Sequence, residues 1–307
     1  MLDWQVIASG LEFPEGPIAM PDGSVLLVEM HRQTLSRVAS DGRVEVVAHL
    51  GGGPNGAAIG PDGRCYVCNN GGLTFTETAG ALVPNLVPEN YSGGWIEAVD
   101  LSSGHREILY RQCRGVSLFG PNDIVFDSHG GFYFTDSGKV RAHDRDRGSV
   151  CYASIDGRSI KRVVFPLEGA NGIGLSPDGN TLYVAESTTG RLWAYEISAP
   201  GQISRTKSKI PWLRGRMLLA MPHYSIPDSL GIEANGNICL ADIPSGGITV
   251  ISPDGAILEQ HATPDAFTTN ICFGGDGLTL AYVTLSSSGR LASATWPRPG
   301  LRLHWPN

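Results

Sequence analysis

FGPNDIVFDSHGGFYFTDSG, residues 119–138, holds two short apolar runs joined by a Gly-rich turn. Val, Ile, Phe and Tyr between turn residues favour strands, so the stretch reads as a β-hairpin that opens on Asn122-Asp123 and closes at Asp136. The same hairpin recurs as PEGPIAMPDGSVLLVEM (14–30), PNGAAIGPDGRCYVCNN (54–70), PNDIVFDSHGGFYFTDS (121–137), ANGIGLSPDGNTLYVAES (170–187), PDSLGIEANGNICLADI (227–243) and TNICFGGDGLTLAYVTL (269–285). A second pair of strand-like runs follows each copy, for instance TLSRVAS and RVEVVAH around Asp41-Gly42. Four antiparallel strands repeated six times, every 40 to 67 residues, predict an all-β, six-bladed β-propeller around a central channel. Closed all-β architectures run past ~200 residues as one unit, so residues 1–307 are expected to form a single domain. The N-terminal WQVIAS is expected to complete the sixth blade, with LRLHW at 301–305 competing for that place.

Composition excludes several classes. Forty Gly and twenty Pro without a collagen period mean many tight turns and almost no helix. The formal charge is −7 with no basic block, which argues against nucleic acid and favours small molecules or cations as partners. MLDWQVIASG lacks the basic start and apolar core of a signal peptide, and no window approaches the ~20 apolar residues of a membrane span. A cytoplasmic protein without membrane contact is expected, and oligomeric state is not legible. The six cysteines (65, 68, 113, 151, 239, 272) are scattered, and Cys65 and Cys68 point to opposite faces of one strand. Buried free thiols are expected rather than zinc ligands or disulfides.

Topology assigns the faces. The innermost strand of each blade begins, and the second strand ends, at one end of the channel; the PDG and SHGG turns lie at the other. The long connections 71–94, 111–120, 138–147 and 211–226 share the first end, and long loops on a rigid scaffold carry function. At the second position of the repeats stand Glu15, Asn55, Asn122, Asn171, Asp228 and Asn270. Asn and Asp are favoured wherever a loop turns into a strand, but approximate symmetry brings all six toward one axis. Two carboxylates and several neutral amides suit one divalent cation. All-oxygen ligation favours Ca²⁺ over Mg²⁺ or Mn²⁺, while the absence of His and Cys ligands counts against Zn²⁺ and leaves it last.

PEGP at 14–17, PND at 121–123, NGIGLSPDG at 171–179 and PDSLGIE at 227–233 resemble, in order and over nearly the whole chain, the motifs of the SMP-30/gluconolactonase/luciferin-regenerating-enzyme family. That family includes bacterial lactonases of the Drp35 kind and, more distantly, diisopropylfluorophosphatase. The resemblance implies a propeller holding a divalent cation, with Glu15, Asn122, Asn171 and Asp228 as metal ligands and Asn122 also beside substrate. Asn55 and Asn270 rest on symmetry. Sugar lactonases of the family carry an Arg two residues before the Asn of their N-D-G motif; here that position is Gly120, and the motif runs on into Ile124. The fluorophosphatase's second calcium uses an Asp where this chain has Gly231, so no second ion is expected.

These residues point to a metal-dependent hydrolase that opens a lactone or related ester, with Asp228 as the first choice of base. Glu29, Asp136, Glu186 and Asp242 end their strands near the same mouth and are weighed against holding local turn amides. Segment 71–94, with Phe75 and Tyr91, reads as a lid or an ordered surface loop. Segment 211–226 reads as apolar pocket lining through Trp212, Met217 and Met221, with His223 and Tyr224 as substrate contacts. KVRAHDRDRG at 139–148 reads as a solvated connection. The competing readings are a phosphotriesterase-like or fluorophosphatase-like hydrolase and a non-catalytic ligand-binding propeller.

Overall fold

The computed structural model describes residues 2–204 and 215–305. It is a six-bladed β-propeller. Strand β1 (Gln5–Ser9) stands apart from its sequence neighbours and belongs to the last blade. Blade 1 comprises β2 (Pro14–Ala19), β3 (Val25–Glu29), β4 (Thr34–Val38) and β5 (Val44–His49). Blade 2 comprises β6 (Pro54–Ile59), β7 (Cys65–Asn69), β10 (Trp95–Val99) and β11 (Arg106–Tyr110). A hairpin of β8 (Phe75–Thr78) and β9 (Ala81–Pro84) is inserted before β10, and the short pair β12 (Gln112–Cys113) and β13 (Val116–Ser117) leads on. Blade 3 comprises β14 (Pro121–Phe126), β15 (Phe132–Asp136), β16 (Gly148–Ala153) and β17 (Ile160–Leu167).

Blade 4 comprises β18 (Ala170–Leu175), β19 (Thr181–Glu186) and β20 (Arg191–Ala199), with β21 (Gln202–Ile203) and β22 (Arg216–Ala220) both paired to β20. Segment 211–226 is therefore not one loop. Met217 sits on an outer strand, half exposed, and only 221–225 connects blades on the ring face. The period hid this strand because blade 4 spaces its last two strands far more widely than the other blades do. Trp212 lies outside the described residues. Blade 5 comprises β23 (Ile226–Ile232), β24 (Ile238–Ile243), β25 (Gly247–Ile251) and β26 (Ile257–Ala262). Blade 6 comprises β27 (Thr268–Gly274), β28 (Leu280–Leu285) and β29 (Arg290–Thr295), and β1 completes it antiparallel to β29. WQVIAS closes the ring as expected, whereas 301–305 runs under the channel, with the Leu301 N–H on the Ile232 carbonyl (2.7 Å).

Each blade is sandwiched between two others, so its second strand is covered on both faces. VLLVE, CYVCN and FYFTD are buried along their whole length and do not alternate. Between blades 2 and 3, Tyr66 meets Phe126 at 5.1 Å and Phe132 at 5.6 Å. Each such side chain contributes about 1.5–3 kcal/mol on burial. All six cysteines are free thiols, five of them buried. Among the described residues the helical content is two 3-10 turns, and no helix is long and apolar enough to cross a membrane.

Candidate active site

The second and third strands of every blade pair without a break in register. The first and second do not: all six pairs slip where the repeat places its oxygen residue, between Glu15 and Ile18, Pro54 and Ala57, Pro121 and Ile124, Ala170 and Ile173, Pro227 and Leu230, and Thr268 and Asn270. A bulge re-aims a side chain that the pleat would otherwise send into a blade face. Neighbouring inner strands touch at this level. A Cβ on Gly56 would meet the Asn122 carbonyl at 2.4 Å, and one on Gly172 would meet the Asp228 carbonyl at 2.5 Å, which is why Gly follows the ring residue in those blades. Hydroxyls tie blade 3 to blade 4, blade 4 to blade 5 and blade 6 to blade 1: Thr135 Oγ1 donates to the Asn171 carbonyl, Ser187 Oγ to the Pro227 carbonyl and Ser286 Oγ to the Pro14 carbonyl, each at 2.6 Å.

Glu15 and Asp228 are buried. Burial first, then the charge of Asp228, pushes the Glu15 carboxyl well above its ordinary range; the Thr269 hydroxyl and the Gly16 amide offset this in part. Burial and the Asp123 charge likewise raise Asp228, against a hydrogen bond from the Asn171 amide. Asn122 Oδ1 and Asn171 Oδ1 are buried and accept nothing. A buried amide oxygen without a donor costs on the order of 1–3 kcal/mol, and two carboxylates that repel each other add to that cost. A divalent cation held among them would relieve both costs, so the donor set fits one. Among the described residues no three His, Cys, Asp or Glu side chains converge as a metal cluster, so a cation held here would draw on the amides as well. Asn55 is buried at the same level, while Asn270 turns Oδ1 to the Ile271 N–H (2.8 Å).

The strand-end carboxylates are bound locally. Glu29 accepts from the Glu12 N–H, Arg32 and Ser36. Asp136 accepts from the amides of Phe119 (3.0 Å), Gly120 (2.7 Å) and Gly138 (3.1 Å). Glu186 accepts from Thr189, and Asp242 from Ser225, Ser245 (3.1 Å) and His223 Nε2 (3.1 Å). His223 is thus held by Asp242 at the rim of blade 5, and Tyr224 beside it is 76% exposed. Gly120 faces the Gly138 carbonyl, which a Cβ would approach to 2.6 Å, so the fold closes the position to any larger side chain.

Asp123 escaped the sequence reading. It accepts from the Ile124 N–H (2.9 Å) and, across the blade boundary, the Ile173 N–H (3.2 Å), and burial raises it to about 6. Its signal was an acidic residue where blades 1, 2 and 4 carry Gly16, Gly56 and Gly172. Below it the channel widens into a cavity of 610 Å³ with apolar walls such as Ile18, Ile124, Leu175 and Phe273, floored by 301–305. This cavity opens at the turn face, away from the ring's mouth. Lys139, expected in a solvated connection, is 3% exposed.

The sequence profile of the SMP-30/gluconolactonase/LRE-like region matches residues 13–287. The chain belongs to this family. Among its SMP-30/gluconolactonase relatives, the gluconolactonase of Zymomonas mobilis is 27% identical over 90% of this chain and 77% of its own. The lactonase Drp35 of Staphylococcus saprophyticus is 30% identical over 85% and 72%. The crystal structure of regucalcin, a calcium-binding protein of Agrobacterium tumefaciens, superposes with a TM-score of 0.73 at 17% identity, covering 98% of each chain, and so shares the fold.

Proposed function

We propose that this protein is a lactonase that opens the ring of a small lactone with the help of one divalent cation in the channel, acting as one propeller domain over residues 1–307. The observation that carries the reading is the pair of unpaired buried oxygens, Asn122 Oδ1 and Asn171 Oδ1, set beside the raised carboxyls of Glu15 and Asp228. Those four residues would hold the ion. The gluconolactonase and lactonase relatives support lactone hydrolysis, and the regucalcin fold neighbour supports calcium ahead of magnesium or manganese. When bound, a divalent cation polarises an ester carbonyl and stabilises the oxyanion formed from it.

The protein's own groups do the rest. Asp228 is assigned as general base: its carboxylate takes the proton of the attacking water as the water oxygen bonds to the carbonyl carbon. It returns that proton to the ring oxygen as the carbon–oxygen bond breaks, so atoms and charge balance. With the cation bound beside it, the positive charge would counter the burial that raises this carboxyl and keep it ionised, the form that accepts a proton. Asn122 and Asn55 orient the lactone. His223 and Tyr224, at the rim, are assigned to the outer part of the substrate. Six unpaired thiols support a cytoplasmic setting.

Metal analysis of the native protein, with a pH-indicator screen over γ-, δ- and aromatic lactones, tests the reading. The expected result is about one divalent ion per chain and hydrolysis that chelator abolishes. A protein that holds no ion and opens no lactone overturns it.

A further inference from the structure

The longest connection on the ring face, residues 71–94, is fastened at several points. The Leu82 N–H donates to the Ser287 carbonyl of blade 6 at 2.8 Å. Phe75 packs on Phe13 at 5.3 Å and His31 at 5.0 Å, both in blade 1. The Tyr91 hydroxyl donates to the Phe119 carbonyl, and the Gly94 N–H to the Leu118 carbonyl at 2.8 Å, just ahead of blade 3. Phe13 and Phe119 shortly precede Glu15 and Asn122, so the insertion lies against the chain that delivers two ring residues.

Its base is held by a side chain from another blade. Lys139 Nζ donates to Asn70 Oδ1 (3.0 Å) and to the Gly72 carbonyl (2.8 Å), and lies 5.2 Å from the centre of the Tyr91 ring. Burying a lysine costs about 2 kcal/mol in rotamer freedom before desolvation is counted, so its enclosure needs partners that use it. The facing charges are Asp136, whose oxygens already serve the Phe119, Gly120 and Gly138 amides, and Asp146, which Arg141 grips at 2.8 and 2.9 Å. Neither carboxylate reaches Nζ directly. A neutral amine still offers two N–H donors, matching its two acceptors, so the contact survives deprotonation.

We propose that 71–94 is a strap narrowing the channel mouth over blades 6, 1, 2 and 3, and that Lys139 is the positioning residue pinning its base. The contact then sets which lactones reach the ring, excluding bulky substituents while compact rings pass. Only this last clause rests on the lactonase reading. Hydrogen exchange is compared in the native protein, Lys139→Met and Tyr91→Phe. In Lys139→Met, exchange at Thr74, Leu82 and Asn85 is expected to quicken about tenfold or more while the second strands of the blades keep their protection. Tyr91→Phe, which removes only the hydroxyl bond, quickens the same amides less and keeps the test open if the lysine variant fails to fold. The kcat/KM ratio of a bulky aryl lactone to an unsubstituted γ-lactone is expected to rise about tenfold, carried by KM. Unchanged strap protection in both variants overturns the pin; a loosened strap with an unmoved ratio overturns the gate. If the native protein opens neither lactone, the functional reading and the gate fall together, while exchange alone decides the pin.

Discussion

The two ends of the channel are built from the same six strands and differ in almost everything else. At the upper end every inner strand slips register, and buried Glu, Asn and Asp crowd the axis. At the lower end the same strands run on into Ile18, Ile124 and Leu175, around a 610 Å³ apolar cavity floored by 301–305. The difference teaches that the site is made by a local fault in pairing, not by the blade architecture. The regular middle strands supply rigidity, and the bulges aim groups that the pleat alone would bury between blades.

Substitutions at the two ends should therefore separate chemistry from stability. Asp228→Asn keeps the shape and removes charge and basicity, and should lower kcat by roughly 10²–10⁴-fold. Cation content has to be measured in the same sample. A metal-loaded variant working at the native rate would show that Asp228 is not the base. Stripping the ion with a chelator should lower the melting temperature, because binding to the folded state alone contributes about 2.7 kcal/mol at a hundredfold excess over Kd. A melting curve unmoved by exhaustive chelation would leave the ring without its ion.

At the other end, Leu175→Ala should cost about 2 kcal/mol of stability, the low side of the range because the cavity lets the wall relax. Its kcat per folded molecule should not change; a fall would show that the lower chamber takes part in the chemistry. Asn122→Ala should keep the cation on the remaining ligands and lose about tenfold in kcat/KM, the worth of one oriented hydrogen bond. Complete loss of the ion from this variant would promote Asn122 from orienting group to essential ligand.

The remaining effect concerns the rim. Burial pushes Lys139 down to about 7, against the pull of Asp136 and Asp146. Between that value and the ordinary lysine range the unfolded chain binds a proton that the folded chain does not, so stability rises with pH across this window and the penalty is complete below it. The stability of the native protein relative to Lys139→Met should therefore improve from pH 6 to pH 9. A flat difference would mean that Lys139 titrates as it does in water.

What was legible in the sequence follows from the same contrast. The repeat carried the inner hairpins, the closing WQVIAS strand and the ring positions, because each is a local pattern of turn, apolar run and oxygen residue. β22 was not legible, since nothing local marks a partner so far from β20 in the chain. Asp123 was hidden behind Asn122: its amide donors include Ile173 in the next blade, a relation no single repeat contains. Lys139 looked solvated among its charged neighbours because its acceptors, Asn70 and Gly72, belong to another blade.

The clasp formed by β1 and β29 gives the ring a further property. The groups assigned to the ion come from blades 1, 3, 4 and 5, and on the proposed reading the blade 1 group would be held beside the other three by the closure that β1 completes. Capture of the cation would then work as a proofreading step in biogenesis. On that reading a chain whose N-terminal strand has not docked would hold the ion less well, and half-assembled molecules would be less active than closed ones.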